Sequence, residues 1–76
     1  MAEKTMNLRG LKCPLPALRA RKALGAMASG DLLVIECTDP LSVIEIPHLL
    51  LETGDRLLHH EATNGLFIFH IERGKA

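Results

Sequence analysis

Leu32-Leu33-Val34-Ile35-Glu36-Cys37 is a nearly continuous apolar run bounded by Asp31 and Pro40. That is the pattern of a strand in the middle of a sheet. Its neighbours can be read on either side. Met6-Asn7-Leu8-Arg9 alternates apolar and polar residues before Gly10, which predicts a short first strand with Met6 and Leu8 facing inward. Residues 14–28 are mostly Ala, Leu, Arg, Lys and Met, with Ala17, Ala20, Leu24 and Met27 forming an apolar stripe, and Ser29-Gly30 closes this predicted helix.

Beyond the central run, Asp39-Pro40 and the capping-box spacing Ser42-x-x-Glu45 are successive helix-start signals. A second helix follows to about Thr53, with Gly54 as its carboxyl cap. Pro47 inside it removes a backbone hydrogen bond and predicts a kink or restart. Segments 56–63 and 66–73 flank Asn64-Gly65, a strong two-residue hairpin signal. The predicted order is βαβαββ, an α+β two-layer sandwich with a four-stranded mixed sheet and two helices packed on one face. Its first crossover is right-handed with parallel strands, so the loop carrying Cys13 and the end of the second strand at Cys37 share one sheet edge.

Seventy-six residues without a repeat or linker are read as a single domain, residues 1–76. Nine Lys+Arg balance nine Asp+Glu, so no global charge draws the chain to nucleic acid or to an anionic membrane. The distribution is uneven. Residues 1–22 hold Lys4, Arg9, Lys12, Arg19, Arg21 and Lys22 against Glu3, whereas residues 31–61 hold seven acids against Arg56. No apolar run approaches the ~20 residues of a membrane span, and Met1-Ala2-Glu3-Lys4 lacks the apolar core of a secretion signal. A cytoplasmic protein with free thiols is expected, because its two cysteines suit neither a disulfide scaffold nor a zinc knuckle.

Cys13-Pro14-Leu15-Pro16 places a thiol at a helix start. With Cys13 as N-cap, Pro14 and Pro16 fall where N–H groups have no intrahelical partner, so the turn is stiffened at little cost. The helix dipole, Lys12 and Arg9 all favour thiolate. A terminus effect of roughly 0.3–2 kcal/mol amounts to about 0.2–1.5 pKa units, which predicts an acidic Cys13. Pro16 occupies the place of a resolving cysteine, so a lone nucleophile suited to sulfur transfer fits better than dithiol cycling. An inert buried cysteine is the plain alternative, but a loop with Gly10 and Lys12 is not an apolar run. A haem-binding Cys-Pro pair would require an axial partner, and none is identifiable.

Leu8-Arg9-Gly10-Leu11-Lys12-Cys13-Pro14-Leu15-Pro16 closely resembles the signature of the TusA family, also called SirA-like proteins. The resemblance continues through Arg21-Lys22, Thr38-Asp39-Pro40, Glu45-Ile46-Pro47 and Gly54-Asp55, nearly the whole chain. It implies a βαβαββ sandwich and a cytoplasmic sulfur carrier that needs no cofactor. The motif cysteine, here Cys13, would take a persulfide from a cysteine desulfurase or another sulfurtransferase and pass it to an acceptor protein. Acceptors of such carriers serve tRNA thiolation, molybdenum-cofactor assembly or sulfur oxidation. Many relatives have a second cysteine in the second helix, where His48-Leu49-Leu50-Leu51 offers none.

Site expectations follow. Cys13 is the catalytic residue, Gly10, Pro14 and Pro16 shape its turn, and Arg9, Lys12, Arg19, Arg21 and Lys22 support the thiolate or contact a partner. Cys37 is read first as core packing, with a bridge to Cys13 as the functional alternative. The hairpin register pairs His59 with His70, a solvated pair without a third metal ligand. Leu32, Val34, Leu57, Leu66 and Ile68 are expected on the face opposite the helices, an apolar patch suited to a partner in a monomer or weak dimer. The rival readings are a docking module with an incidental Cys13 and a thiol redox sensor.

Overall fold

In a computed structural model, which describes residues 3–74, the order is β1 (Glu3–Leu8), α1 (Leu15–Gly25), β2 (Leu32–Cys37), α2 (Ser42–Thr53), β3 (Arg56–Thr63) and β4 (Leu66–Glu72). Met1 and Ala2, which belong to the amino-terminal segment read above for a secretion signal, lie outside the described residues. The sheet order is β1-β2-β4-β3, with β1 and β2 parallel and the other pairs antiparallel. No helix among the described residues is long and apolar enough to cross a membrane.

The apolar run of β2 explains its central place. Leu33, Ile35 and Cys37 are fully buried under both helices, and the alternate residues Leu32, Val34 and Glu36 are half-buried on the other face. Ala20 and Leu24 of α1, Ile46, Leu49 and Leu50 of α2, and Phe69 and Ile71 of β4 complete the core with Leu8. Burying each large aliphatic or Phe side chain contributes about 1.5–3 kcal/mol, and this single layer supplies most of the drive to fold.

Several boundaries differ from the pattern. α1 stops at Gly25 because Ala26 and Met27 donate to the carbonyls of Ala23 and Leu24, tightening the last turn, and the Asp31 carboxylate then accepts the Ala28 N–H at 3.0 Å. α2 has Leu41 as its N-cap, and the Ser42-x-x-Glu45 capping box does not form. Ser42 sits inside the helix, its hydroxyl buried without a well-aligned hydrogen bond. Pro47 neither breaks nor restarts α2, which runs continuously to Thr53. The bond it deletes is the one to Val43, in the exposed first turn. Gly54 does cap the helix in the left-handed region, at φ 79°.

Asn64 and Gly65 both have positive φ, 49° and 79°, as a type I′ turn demands. The hairpin pairs Thr63 with Leu66 and His59 with His70. A bulge between Leu57 and His59 then shifts the register, so Leu57 faces Ile71 and packs on the core. The outer apolar patch therefore lacks Leu57, while Leu58 is left half-exposed.

β4 ends one residue early because Arg73 leaves the ladder for a clasp. Its N–H donates to the Asp31 carbonyl and its carbonyl accepts the Gly30 N–H, each at 2.8 Å. Its guanidinium meets the buried Asp55 carboxylate at 2.7 Å, which also accepts from Thr53 Oγ1 and the Gly74 N–H. Burial alone would raise the Asp55 pKa, but those hydrogen bonds and the Arg73 charge outweigh it and hold the carboxyl below its usual value. A depressed folded-state pKa means stability that is present above the unfolded carboxylate value and lost as pH falls through the folded one. Asp55→Ala should lower the urea-unfolding free energy by about 3–5 kcal/mol at pH 7. The wild type should lose this contribution below about pH 4, and equal acid sensitivity in the two proteins would remove the clasp from the account.

Candidate functional site

Parallel pairing of β1 with β2 ends with Leu8 opposite Cys37, so the β1–α1 and β2–α2 loops leave the sheet side by side. Backbone donors of the first loop bond to side chains of the second. Gly10, in the left-handed region at φ 81°, donates its N–H to Thr38 Oγ1 at 2.9 Å. The Cys13 N–H donates to Asp39 Oδ2 at 2.5 Å, and Asp39 Oδ1 accepts the Leu41 N–H at 3.1 Å. Asp39 thus joins the two loops, and its bond to the Leu41 N–H is a turn leading into α2, which has no side-chain cap.

Cys13 lies one residue outside helix α1, whose N-cap is Pro14, and the Cys13–Pro14 peptide is cis. Leu15 N–H closes a turn onto Lys12 C=O at 2.8 Å, and Leu18 N–H reaches Pro14 C=O at 3.1 Å. Pro16 falls in the first helical turn and is buried, where its missing N–H costs no intrahelical bond. The two prolines frame a half-exposed thiol.

The electrostatics reverse the expectation of an acidic thiol. Cys13 Sγ donates a hydrogen bond to Glu45 Oε1. That bond, with burial and the negative charges of Glu45 and Asp39, pushes the thiol up to about 11. The cations that should have opposed this are elsewhere. Arg9 is held by Glu36 at 2.9 and 2.5 Å. Arg19 and Lys22 lie beside Lys4 and Met6 over β1, and only Lys12 and Arg21 border the hollows on either side of Cys13 and Glu45. Sequence reading missed Asp39 and Glu45 as site residues, because Asp-Pro and Ser-x-x-Glu are also ordinary helix-start signals. The topology, which puts residues 38–45 against the Cys13 loop, was the signal that could have found them.

Cys37 has no solvent exposure. Burial pushes its thiol up to about 11 against the opposing Ser42 hydroxyl, and Asp39 adds to the rise. Cys13 and Cys37 are both free, so no bridge joins them. The His59 and His70 rings meet on the hairpin with centroids 5.5 Å apart and their planes tilted by 50°. No group of three or more metal-ligating side chains occurs among the described residues. Around the thiol, Leu15, Leu18, Leu41 and Ile44 are all exposed, Ile44 at 68%. Leu18 and Ile44 line a groove between the helices with Pro14, Arg21 and Glu45.

A thiol raised by its carboxylate partner stays protonated until the pH passes about 11. Alkylation of Cys13 by iodoacetamide should therefore climb with pH toward that value, and Glu45→Gln should bring its midpoint down toward the ordinary thiol value of about 8.5. An unchanged midpoint would mean that Glu45 does not set the thiol's acidity.

Residues 4–73 match the family described as sulfurtransferase TusA. The chain is 39% identical over 71 residues to the sulfur carrier protein TusA of Allochromatium vinosum, which covers 93% of each chain. A protein of Neisseria meningitidis serogroup A is 38% identical over 72 residues, 95% of this chain and 97% of its own. The fold is that of a crystal structure of a SirA-like protein from Desulfitobacterium hafniense, with a TM-score of 0.80 and 24% identity, covering 95% of this chain and 99% of that one. With its four-stranded mixed sheet, its Cys-Pro-Leu-Pro turn and a family match across nearly all of its length, this chain belongs to the sulfurtransferase TusA family.

Proposed function

We propose that residues 1–76 act as one cytoplasmic sulfur carrier, with Cys13 accepting sulfane sulfur from a donor protein and passing it to an acceptor protein. The observation that carries this reading is the contrast between the two thiols. Cys13 stands half-exposed on a turn held by backbone hydrogen bonds, whereas Cys37 is sealed in the core. A single accessible thiol without a resolving partner suits transfer of a group. Loading forms a bond between Cys13 Sγ and the outer sulfur of the donor persulfide and breaks the donor's S–S bond, leaving Cys13 as persulfide and the donor as thiol. The sulfur-carrier name of the Allochromatium vinosum relative supports the same reading.

Gly10, Pro14 and Pro16 hold the turn, and Lys12 and Arg21, beside the thiol and its carboxylate, are the basic residues best placed to touch a partner. The donor is a cysteine desulfurase or another sulfurtransferase. The acceptor belongs to a relay for tRNA thiolation, molybdenum-cofactor assembly or sulfur oxidation. Incubation with a cysteine desulfurase and cysteine should add about one sulfur, ~32 Da by intact mass, which reductant removes. Cys13→Ser should gain nothing and Cys37→Ser should gain as the wild type does. Failure of the wild type to gain sulfur from several donors would leave a docking module as the better account.

A further inference from the structure

Sulfur transfer through Cys13 requires a place for a proton. A neutral thiol that attacks a persulfide must lose its hydrogen, and a thiol pushed up to about 11 is protonated near neutral pH. The hydrogen already points at one acceptor, because Cys13 Sγ donates to Glu45 Oε1. Glu45 lies in the first turn of α2, with its carboxylate turned to the Cys13 loop. None of the ion pairs among the described residues uses Glu45.

The other titratable groups around the pair are Asp39 from the β2–α2 loop, Lys12 from the β1–α1 loop, Arg21 from α1, and His48 and Glu52 from α2. Asp39 is occupied by the Cys13 and Leu41 N–H groups. His48, the alternative base in the groove, is engaged by Glu52 at 3.0 Å. Exposed Leu18 and Ile44 flank Glu45, so a docked partner would exclude water and leave the carboxylate as the nearest proton acceptor.

From this geometry we infer that Glu45 is a catalytic residue of the carrier cycle, taking the Cys13 proton on loading and returning it on unloading. The inference rests on the sulfur-carrier reading. On loading, Sγ bonds to the outer sulfur of the donor persulfide R–S–SH, the donor S–S bond breaks, R–S⁻ leaves, and the Sγ proton passes to the Glu45 carboxylate. On unloading, an acceptor thiolate R′–S⁻ attacks the outer sulfur of Cys13–S–SH, forming R′–S–SH. The strongly basic Sγ released takes the proton back from Glu45. The sum is R–S–SH + R′–S⁻ → R–S⁻ + R′–S–SH, with no oxidant or reductant consumed.

Two rates on each variant test this: loading from glutathione persulfide, followed by mass, and alkylation by iodoacetamide, both across pH 6–10. In Glu45→Gln the two should diverge at pH 7.5. Alkylation should rise because the thiol is more acidic, while loading should fall about tenfold or more with the loss of the base. Glu45→Asp, which retains a carboxylate and reports on folding, should recover part of the loading rate, and His48→Gln should load as the wild type does. If Glu45→Gln speeds both reactions, or if His48→Gln slows loading as much, the inference is overturned while the carrier reading stands. No sulfur gain by the wild type overturns both.

Discussion

Parallel pairing of β1 and β2, in a register that sets Leu8 against Cys37, is the constraint on which the site depends. Two strands running the same way deliver their exits to one edge, so chain segments 26 and 32 residues apart meet as Cys13–Asp39 and Cys13–Glu45 contacts. Every feature of the thiol follows from that meeting: its anchored N–H, its hydrogen bond and its raised pKa. The pairing itself depends on the buried face of β2, since Leu33 and Ile35 have no exposure and a one-residue slip would turn them away from the helices that Met6 and Leu8 pack against.

What could be read from the residues follows the physical range of each signal. The β2 run and the Asn64-Gly65 turn are local and strong, and both strands and the His59–His70 pairing emerge at the predicted positions. The bulge at Leu57 and the early end of β4 depend on contacts across the fold, with Ile71 and Asp31, and carry no local mark. Ser42-x-x-Glu45 misled for a related reason. The spacing permits a capping box, but α2 starts one residue earlier, the Glu45 N–H bonds the Leu41 carbonyl and the Glu45 carboxylate is taken by the Cys13 thiol, so neither half of the box can form.

The same contest decides the electrostatics. Counting charges along the chain puts cations around Cys13, because Arg9, Lys12, Arg19, Arg21 and Lys22 are near it in sequence. In space Arg9 is neutralised by Glu36 across the β1–β2 pair, and α1 carries Arg19 and Lys22 around to the β1 side. The two acids that reach the thiol come from the segment 39–45, distant in sequence and brought in by topology. A hydrogen bond to a carboxylate acts at contact range, whereas the surface lysines act through solvent, where charges are screened, so the sign of the shift follows the acids.

The two ends of β2 divide the work. Where it begins, Asp31 and Gly30 bond the Arg73 backbone while Asp55 gathers Arg73, Thr53 and Gly74, and a Cβ on Gly74 would come within 2.0 Å of the Gly54 carbonyl. That end is closed and intolerant of added atoms. Where β2 ends, the chain stays open, with a half-exposed thiol, exposed leucines and a carboxylate outside the ion pairs. A domain of this size buries only about 60% of the surface its unfolded chain exposes, so it has little stability to spare for an unpaired, apolar rim. Concentrating the polar bonds at the closed end, on a buried ion pair that is strongly destabilising to break, is what lets the other end remain shaped for a partner.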